Sequence, residues 1–293
     1  MAEAAAGQRD DEAGPSGFLL IDKPAGITSH DAVDLVRRAL GTRKVGHSGT
    51  LDPLATGLLL MGVGRATRLL RFLGDLPKVY EGSGLLGVET TTLDAEGDVL
   101  RRSPVDLTEQ GLGAVMGRFV GDIEQIPPAY SAVKVSGRKL YEAARKGTAV
   151  QAAPRRVHVD AFDLLRLEGA RFDFRVRCSA GTYVRSLVAD VGRSMGCGAH
   201  LIALRRTAIG PYSVDDAAPP ETPGRPLPLE RAIEHLEAVG LTEDEARAAT
   251  HGSILGPAGI DGPYRVVGPE GRLIGIYSDR GSKAVPEVIL TPS

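Results

Sequence analysis

The sequence predicts an α+β fold: a mixed, mainly antiparallel central sheet followed by a small β-rich C-terminal unit. Two observations carry this expectation. Short apolar runs of strand type mix with amphipathic helical segments, without the regular strand–helix alternation of a doubly wound parallel sheet. Beyond residue 263, apolar runs separated by Gly-Pro-Glu-Gly (268–271) read as a hairpin.

The elements follow in order. Residues 1–16 are Ala, Gly, Asp and Glu with one Pro in the main, and read as a disordered tail. Gly17–Ile21 is an apolar run of buried-strand type, and Asp22-Lys23-Pro24-Ala25-Gly26 breaks it with turn chemistry. Thr28 or Ser29 caps a helix over about 30–40, Asp31 suits its first turn, and Gly41 stops it. A glycine-rich loop, 46–57, leads into a strand over 58–63. A short basic helix with Arg65, Arg68 and Arg71 at three-residue spacing comes next.

A strand over 78–87 carries Tyr80, 91–97 is a loop, and 108–119 is helical. Ile126-Pro127-Pro128 forbids helix, 129–135 reads as a strand, and 138–146 as a basic helix closed by Gly147. Strands at 156–167 and 171–178, a helix at 182–194 and a strand at 199–209 complete a domain over 17–214. Pro, Ala and Asp dominate 215–230, a linker by composition. The last unit, 231–293, holds one or two acidic helices over 230–250, the hairpin and a strand at 285–290.

Composition limits the function classes. Of 293 residues, 42% are apolar and 25% charged, an ordinary globular balance. No apolar run approaches the roughly 18 residues of a membrane helix. The first 16 residues lack a signal-peptide core, so a cytoplasmic location is expected, with no membrane partner. Cys178 and Cys197 have no partnering His or Cys motif and read as buried thiols, not a zinc site. The net charge of −2 conceals an asymmetry: residues 17–213 hold 27 Lys and Arg against 20 Asp and Glu. A basic body flanked by acidic ends suits a phosphate backbone.

Nucleotide-cradling, zinc-hydrolase and serine-hydrolase motifs are absent, so those chemistries have no anchor. The polar features left are Asp52, His47, Tyr80, Lys23, Tyr183 and Arg185. Asp52 sits among Gly46, Gly49 and Gly57, where the backbone can approach a ligand closely. From spacing alone, Asp52-Pro53 also reads as an ordinary turn start, His47 as a loop histidine and Tyr80 as half core.

Longer motifs bear on that choice. Gly46-His47-Ser48-Gly49-Thr50-Leu51-Asp52-Pro53-Leu54-Ala55-Thr56-Gly57 resembles the catalytic motif of the tRNA pseudouridine-55 synthase family, TruB. Leu20–Ser29 resembles that family's opening motif, and Gly121–Pro128 with Tyr130–Lys134 and Gly137–Tyr141 its central one. Cys178–Arg185 and Gly196–Leu201 resemble its late motifs. The match is collinear over about 17–212.

The resemblance implies a pseudouridine synthase fold with a PUA-like C-terminal domain. It makes Asp52 the catalytic carboxylate, with Tyr80 against the base and Arg185 paired to the aspartate. His47, Tyr183 and Leu204 line the flipped uridine, and Lys23 is a supporting basic residue. One departure is Thr91, which stands where the family often has an acid, whereas Asp94 still matches.

The implied reaction is an isomerisation of uridine 55 in the T-loop of tRNA, needing no cofactor and no metal. One carboxylate suffices as nucleophile or base, and a base must leave its stack before an enzyme can act on it. An apolar wall would raise the pKa of Asp52, while Arg185 would favour the anion. Arg65, Arg68, Arg138, Lys139, Arg145, Lys146, Arg155 and Arg156 are the candidates for contacts to the RNA backbone. A non-catalytic tRNA-folding chaperone is the alternative. A guide-RNA-dependent relative would carry a larger, basic PUA domain, so this chain is expected to act as a monomer on free tRNA.

Overall fold

Both faces of the first strand are buried, which is why its sequence is a continuous apolar run rather than an alternation. In β1 (Gly17–Lys23), Phe18 and Leu20 face one apolar cluster and Leu19 and Ile21 another. The helix α1 (Ser29–Leu40) covers the second face with Ala32, Val33 and Val36. Thr28 is its N-cap and forms a capping box with Asp31, and Gly41 ends it at φ 64°. This computed structural model describes residues 15–128, 130, 134–135, 138–139 and 152–290.

The glycine-rich segment is shorter as a loop than its composition implies. Val45–Ser48 forms β2, antiparallel to β3 (Thr56–Val63), so the loop proper is 49–55 and His47 stands on a strand opposite Met61. The basic segment is a 3-10 helix, Gly64–Leu73. Then come β4 (Lys78–Leu86), β5 (Val88–Thr90), β6 (Val99–Arg102), α2 (Glu109–Gly117) and β7 (Gly121–Gln125). β8 (Lys134–Val135) and β9 (Arg138–Lys139) pair with each other, so the helix expected over 138–146 is strand in its first two residues. The remainder of that expected helix, including Arg145 and Lys146, lies outside the described residues, as does most of the strand expected over 129–135.

β10 (Arg155–Glu168), β11 (Arg171–Cys178), α3 (Val184–Ser194), β12 (Ala199–Ile209) and β13 (Tyr212–Ser213) complete the central sheet. Its order is β1-β3-β12-β4-β11-β10-β7, with β2 also on β3 and β13 on β12. Every pairing is antiparallel except β3 with β12. That one parallel contact is short, Arg205 with Thr56 and Arg206 with Gly57, and it brings the end of the 49–55 loop against β12. Gly57 is required there: its φ is +100°, and a Cβ would lie 2.3 Å from the Arg206 carbonyl oxygen. α3 packs Leu187, Val188 and Val191 against Phe172, Phe174 and Leu201 of the sheet.

The segment expected as a linker is held along β1. Ala218 N–H donates to Leu20 O, and Phe18 and Leu227 exchange both backbone bonds. Beyond it, β14 (Ala238–Gly240), α4 (Glu243–Thr250), β15 (Pro263–Val267), β16 (Leu273–Arg280) and β17 (Lys283–Ile289) build the small unit, a sheet in order β14-β15-β16-β17. Leu273, Ile276, Val288 and Leu290 share one core with Phe18, Leu20, Leu58 and Leu60. The hairpin was legible in the sequence; β14, three residues of Ala-Val-Gly, had no pattern to betray it.

Candidate active site

The 49–55 loop is fastened at both ends. Ser29, buried at the start of α1, receives a bond from Leu51 N–H at 2.8 Å and donates to Leu51 O at 3.1 Å. Lys23, fully buried, donates to Pro24 O and Ile27 O at 2.8 Å each and to Pro53 O at 3.4 Å. Burial lowers its pKa, and the Asp52 carboxylate opposes the shift. Lys23 therefore supports the loop from below and does not line the cavity. Between these fasteners Asp52 projects outward, its side chain 44% exposed.

Asp52 faces a guanidinium held in place by several partners. Arg185 is in the first turn of α3, where a cation opposes the helix dipole. Two carboxylates compensate: Nε is 3.0 Å from Asp52 Oδ2, and Nη1 is 3.2 Å from Asp94 Oδ2. Nη1 also donates to Thr92 O and Nη2 to Tyr130 O, both at 2.9 Å. Asp94 is buried and comes after Leu93, which adopts φ 63° with its carbonyl bonded to Leu201 N–H at 3.0 Å. That left-handed turn aims the Asp94 carboxylate at Arg185. Thr91, the departure from the expected motif, is exposed and, among the described residues, pairs with Asp98.

A cavity of about 310 Å³ opens beside the pair. Asp52, Tyr80, Tyr183, Arg185 and Leu204, expected together, all line it. Lys78 and Arg206 also line it and were not expected. Asp52 is the only acid among the described residues that do so. Burial pushes the Asp52 pKa upward, Arg185 pulls it down and Asp94 pushes it up again; the balance lies above the ordinary carboxylate value. Tyr80 stands opposite Arg206 across the β4–β12 ladder. Burial raises its pKa and holds the phenol protonated, with the Arg206 charge opposing that shift. An adjoining cavity of about 320 Å³ shares Asp52 and Arg185 and adds Asp94, Glu96 and Tyr130.

Tyr183 is the N-cap of α3, and buried Gln125 fixes its backbone by accepting from its N–H at 3.0 Å and donating to its carbonyl at 3.3 Å. Arg155 lies over the Tyr183 ring, 5.6 Å from its centroid. His47 is half-buried and does not line the cavity. Burial and then the Arg206 charge lower its pKa, so the ring is neutral at pH 7. Arg65 and Arg68 donate at 2.8 Å to the carbonyls of Leu290 and Ile289, at the end of the C-terminal sheet. Arg71 continues the row onto Glu287 O at 2.9 Å. Among the described residues no group of three or more His, Cys, Asp or Glu is placed to hold a metal, and no helix is long and apolar enough to cross a membrane.

Comparisons with known proteins agree along the chain. Residues 37–184 match the TruB family pseudouridylate synthase (N terminal domain). Residues 185–219 match the tRNA pseudouridylate synthase B C-terminal domain, and 236–291 the tRNA Pseudouridine synthase II, C terminal. A tRNA pseudouridine synthase B of Mycobacterium sp. (strain KMS) is 42% identical over 287 residues, covering 94% of this chain and 97% of the relative. That of Thermobifida fusca (strain YX) is 44% identical over 290, covering 94% and 99%.

Among solved structures, the fold resembles a chain of a Cbf5-Nop10-Gar1 complex at TM-score 0.72 and 28% identity, covering 99% of this chain and 91% of that one. It also resembles a chain of an H/ACA RNP bound to a substrate RNA containing 2'-deoxyuridine, at TM-score 0.71 and 26% identity, covering 94% and 85%. These matches make the chain a pseudouridylate synthase, an isomerase. The chain belongs to the TruB family.

Proposed function

We propose that this chain isomerises uridine 55 in the T-loop of tRNA to pseudouridine, with Asp52 as the reacting carboxylate. The observation that carries the reading is Asp52, the single acid in the cavity among the described residues, ion-paired with a buried Arg185 and sharing the cavity with Tyr80 and Leu204. The N1–C1′ bond breaks, the uracil turns while held, and C5 bonds to C1′; C5 gives up a proton and N1 gains one, so atoms balance without a co-reactant. Tyr80, protonated, lies against the base and can donate to it. Leu204 and Tyr183 form walls that keep water from the detached uracil.

His47, a neutral ring outside the cavity, is available to fill the space the base leaves in the RNA. Arg155 lies over the ring of the cavity-lining Tyr183, Arg156 is exposed next to it on β10, and Arg138 and Lys139 are on the β8–β9 hairpin; these are the proposed phosphate contacts. The acidic C-terminal unit fits a chain acting as a monomer on free tRNA, which size-exclusion chromatography with and without tRNA tests.

Unmodified tRNA transcript incubated with purified protein, followed by base-resolved detection, should show pseudouridine at position 55. Asp52→Asn should show none while melting normally, because the side chain is partly solvated. Absence of product from the wild type, or equal product from both, would overturn the reading.

A further inference from the structure

The cavity has a second charged end that the chemistry above does not use. Lys78 opens β4 two residues before Tyr80, so the two side chains share a face. Arg206 is directly across from Tyr80 on β12, and Cys178 directly across from Lys78 on β11. Lys78 is 6% exposed and Arg206 1%, yet both line the cavity. Among the described residues, neither has a carboxylate oxygen within 4.0 Å.

Their hydrogen bonds go to backbone carbonyls instead: Lys78 Nζ to Gly74 O, Arg206 Nε to Leu58 O and Arg206 Nη2 to Gly49 O, the last two at 2.7 Å. Carbonyls satisfy the donors but leave the charges uncancelled. The consequence is visible on Lys78, whose pKa is pushed down to about 8 by burial and by Arg206, against the pull of Asp75 and Cys178. At the other end, by contrast, Arg185 has two carboxylates. The cavity is thus balanced at the Asp52 end and holds uncompensated positive charge at the Lys78 end.

Uracil is neutral and does not answer that charge, but a nucleotide drawn out of its stack brings its phosphates with it. We propose that Lys78 and Arg206 form an anion subsite that takes a backbone phosphate flanking the nucleotide in the cavity. Arg206 is the fixed member, held by the Leu58 and Gly49 carbonyls. Lys78 is the point charge, with two further N–H groups to offer. Phosphate at this end would seat the nucleotide against Tyr80 and so set how far the base enters. The inference rests on the uridine-isomerising reading of the same cavity.

The test crosses enzyme and substrate changes. Unmodified tRNA transcripts are assembled with a neutral methylphosphonate in place of either phosphate flanking the target uridine, and kcat/KM is measured for the wild type, Lys78→Met and Lys78→Arg. Lys78→Met keeps the apolar stem and removes a buried charge, so it should melt no lower than the wild type.

One of the two methylphosphonates should slow the wild type by about 10-fold or more, the worth of a charge-assisted hydrogen bond. Lys78→Met should be slowed comparably on all-phosphate RNA and be indifferent to that methylphosphonate, with Lys78→Arg recovering part of the loss. A lysine that merely staples the Gly74 turn would leave the sensitivity to methylphosphonate intact in Lys78→Met. That result, or a wild type indifferent to both substitutions, overturns the subsite. A wild type that forms no pseudouridine on all-phosphate RNA overturns the functional reading first.

Discussion

At the scale of single residues, the proposed chemistry depends on how Asp52 is poised. Its pKa is raised, so the anion is the costlier form in the folded pocket. Activity that needs the anion is lost as pH falls through a value above 3.8. Arg185 and Asp94 act on that value with opposite signs. Arg185→Gln removes a charge that favours the anion, so the acid limb of kcat/KM should move to higher pH. Asp94→Asn removes a charge that disfavours it, so the limb should move lower. Both variants will be slower, but pH profiles of the two moving in the same direction would show that the network works by some route other than charge.

Arg206 shows why part of the site escaped the sequence. Leu204, Arg205 and Arg206 follow one another on β12; Arg205 turns outward to Asp22 at 2.7 Å, and Arg206 turns inward. Two adjacent arginines look like a solvated face until the strand's alternation is registered against its neighbours. Ser29 was weighed as a helix cap, but its hydroxyl accepts from Leu51 N–H in the Asp52 loop, 22 residues away.

At the scale of elements, the loop carrying Asp52 depends on the crossing of β3 and β12. Gly57→Ala would drive a methyl into the Arg206 carbonyl and demand a left-handed backbone from alanine. The cost should be about 2 kcal/mol or more, read by urea unfolding, with kcat falling as the loop shifts. The strands themselves were legible because β1 and β3 are buried on both faces and so carry unbroken apolar runs. The edge of the 46–57 segment was not: Val-Gly-His-Ser has too few apolar residues to mark β2, which exists because β3 offers it a ladder. The three-residue spacing of Arg65, Arg68 and Arg71 did predict a row, as 3-10 geometry stacks such positions. What it could not give was the row's partner, more than 200 residues further along the chain.

At the scale of the whole molecule, that row joins the two units. Its guanidiniums carry C-terminal carbonyls, and the apolar cluster beneath them draws from both β1–β3 and the β14–β17 sheet. Replacing Arg65, Arg68 and Arg71 together by alanine should lower unfolding stability and leave the salt dependence of tRNA binding nearly unchanged. Replacing Arg155 and Arg156 should do the reverse, with the slope of log Kd against log salt falling by roughly one for each phosphate no longer neutralised. Equal slopes for both sets would remove Arg155 and Arg156 from the RNA face. The basic surplus of residues 17–213 was a sound pointer to a polyanion, but some of that charge is spent inside the protein, as Arg65, Arg185 and Arg206 show.

The central sheet interleaves its strands, with β12 inserted between β3 and β4. On the ribosome this order has a temporal meaning. A nascent chain that has already released Asp52 and Tyr80 has strands β3 and β4 side by side in sequence but no strand to join them, and the gap stays open until residues 199–209 emerge. Until then no cavity exists, and two apolar edges wait for a partner made more than 110 residues later. The cavity's lining is therefore complete only once Leu204 and Arg206 of β12 are in place.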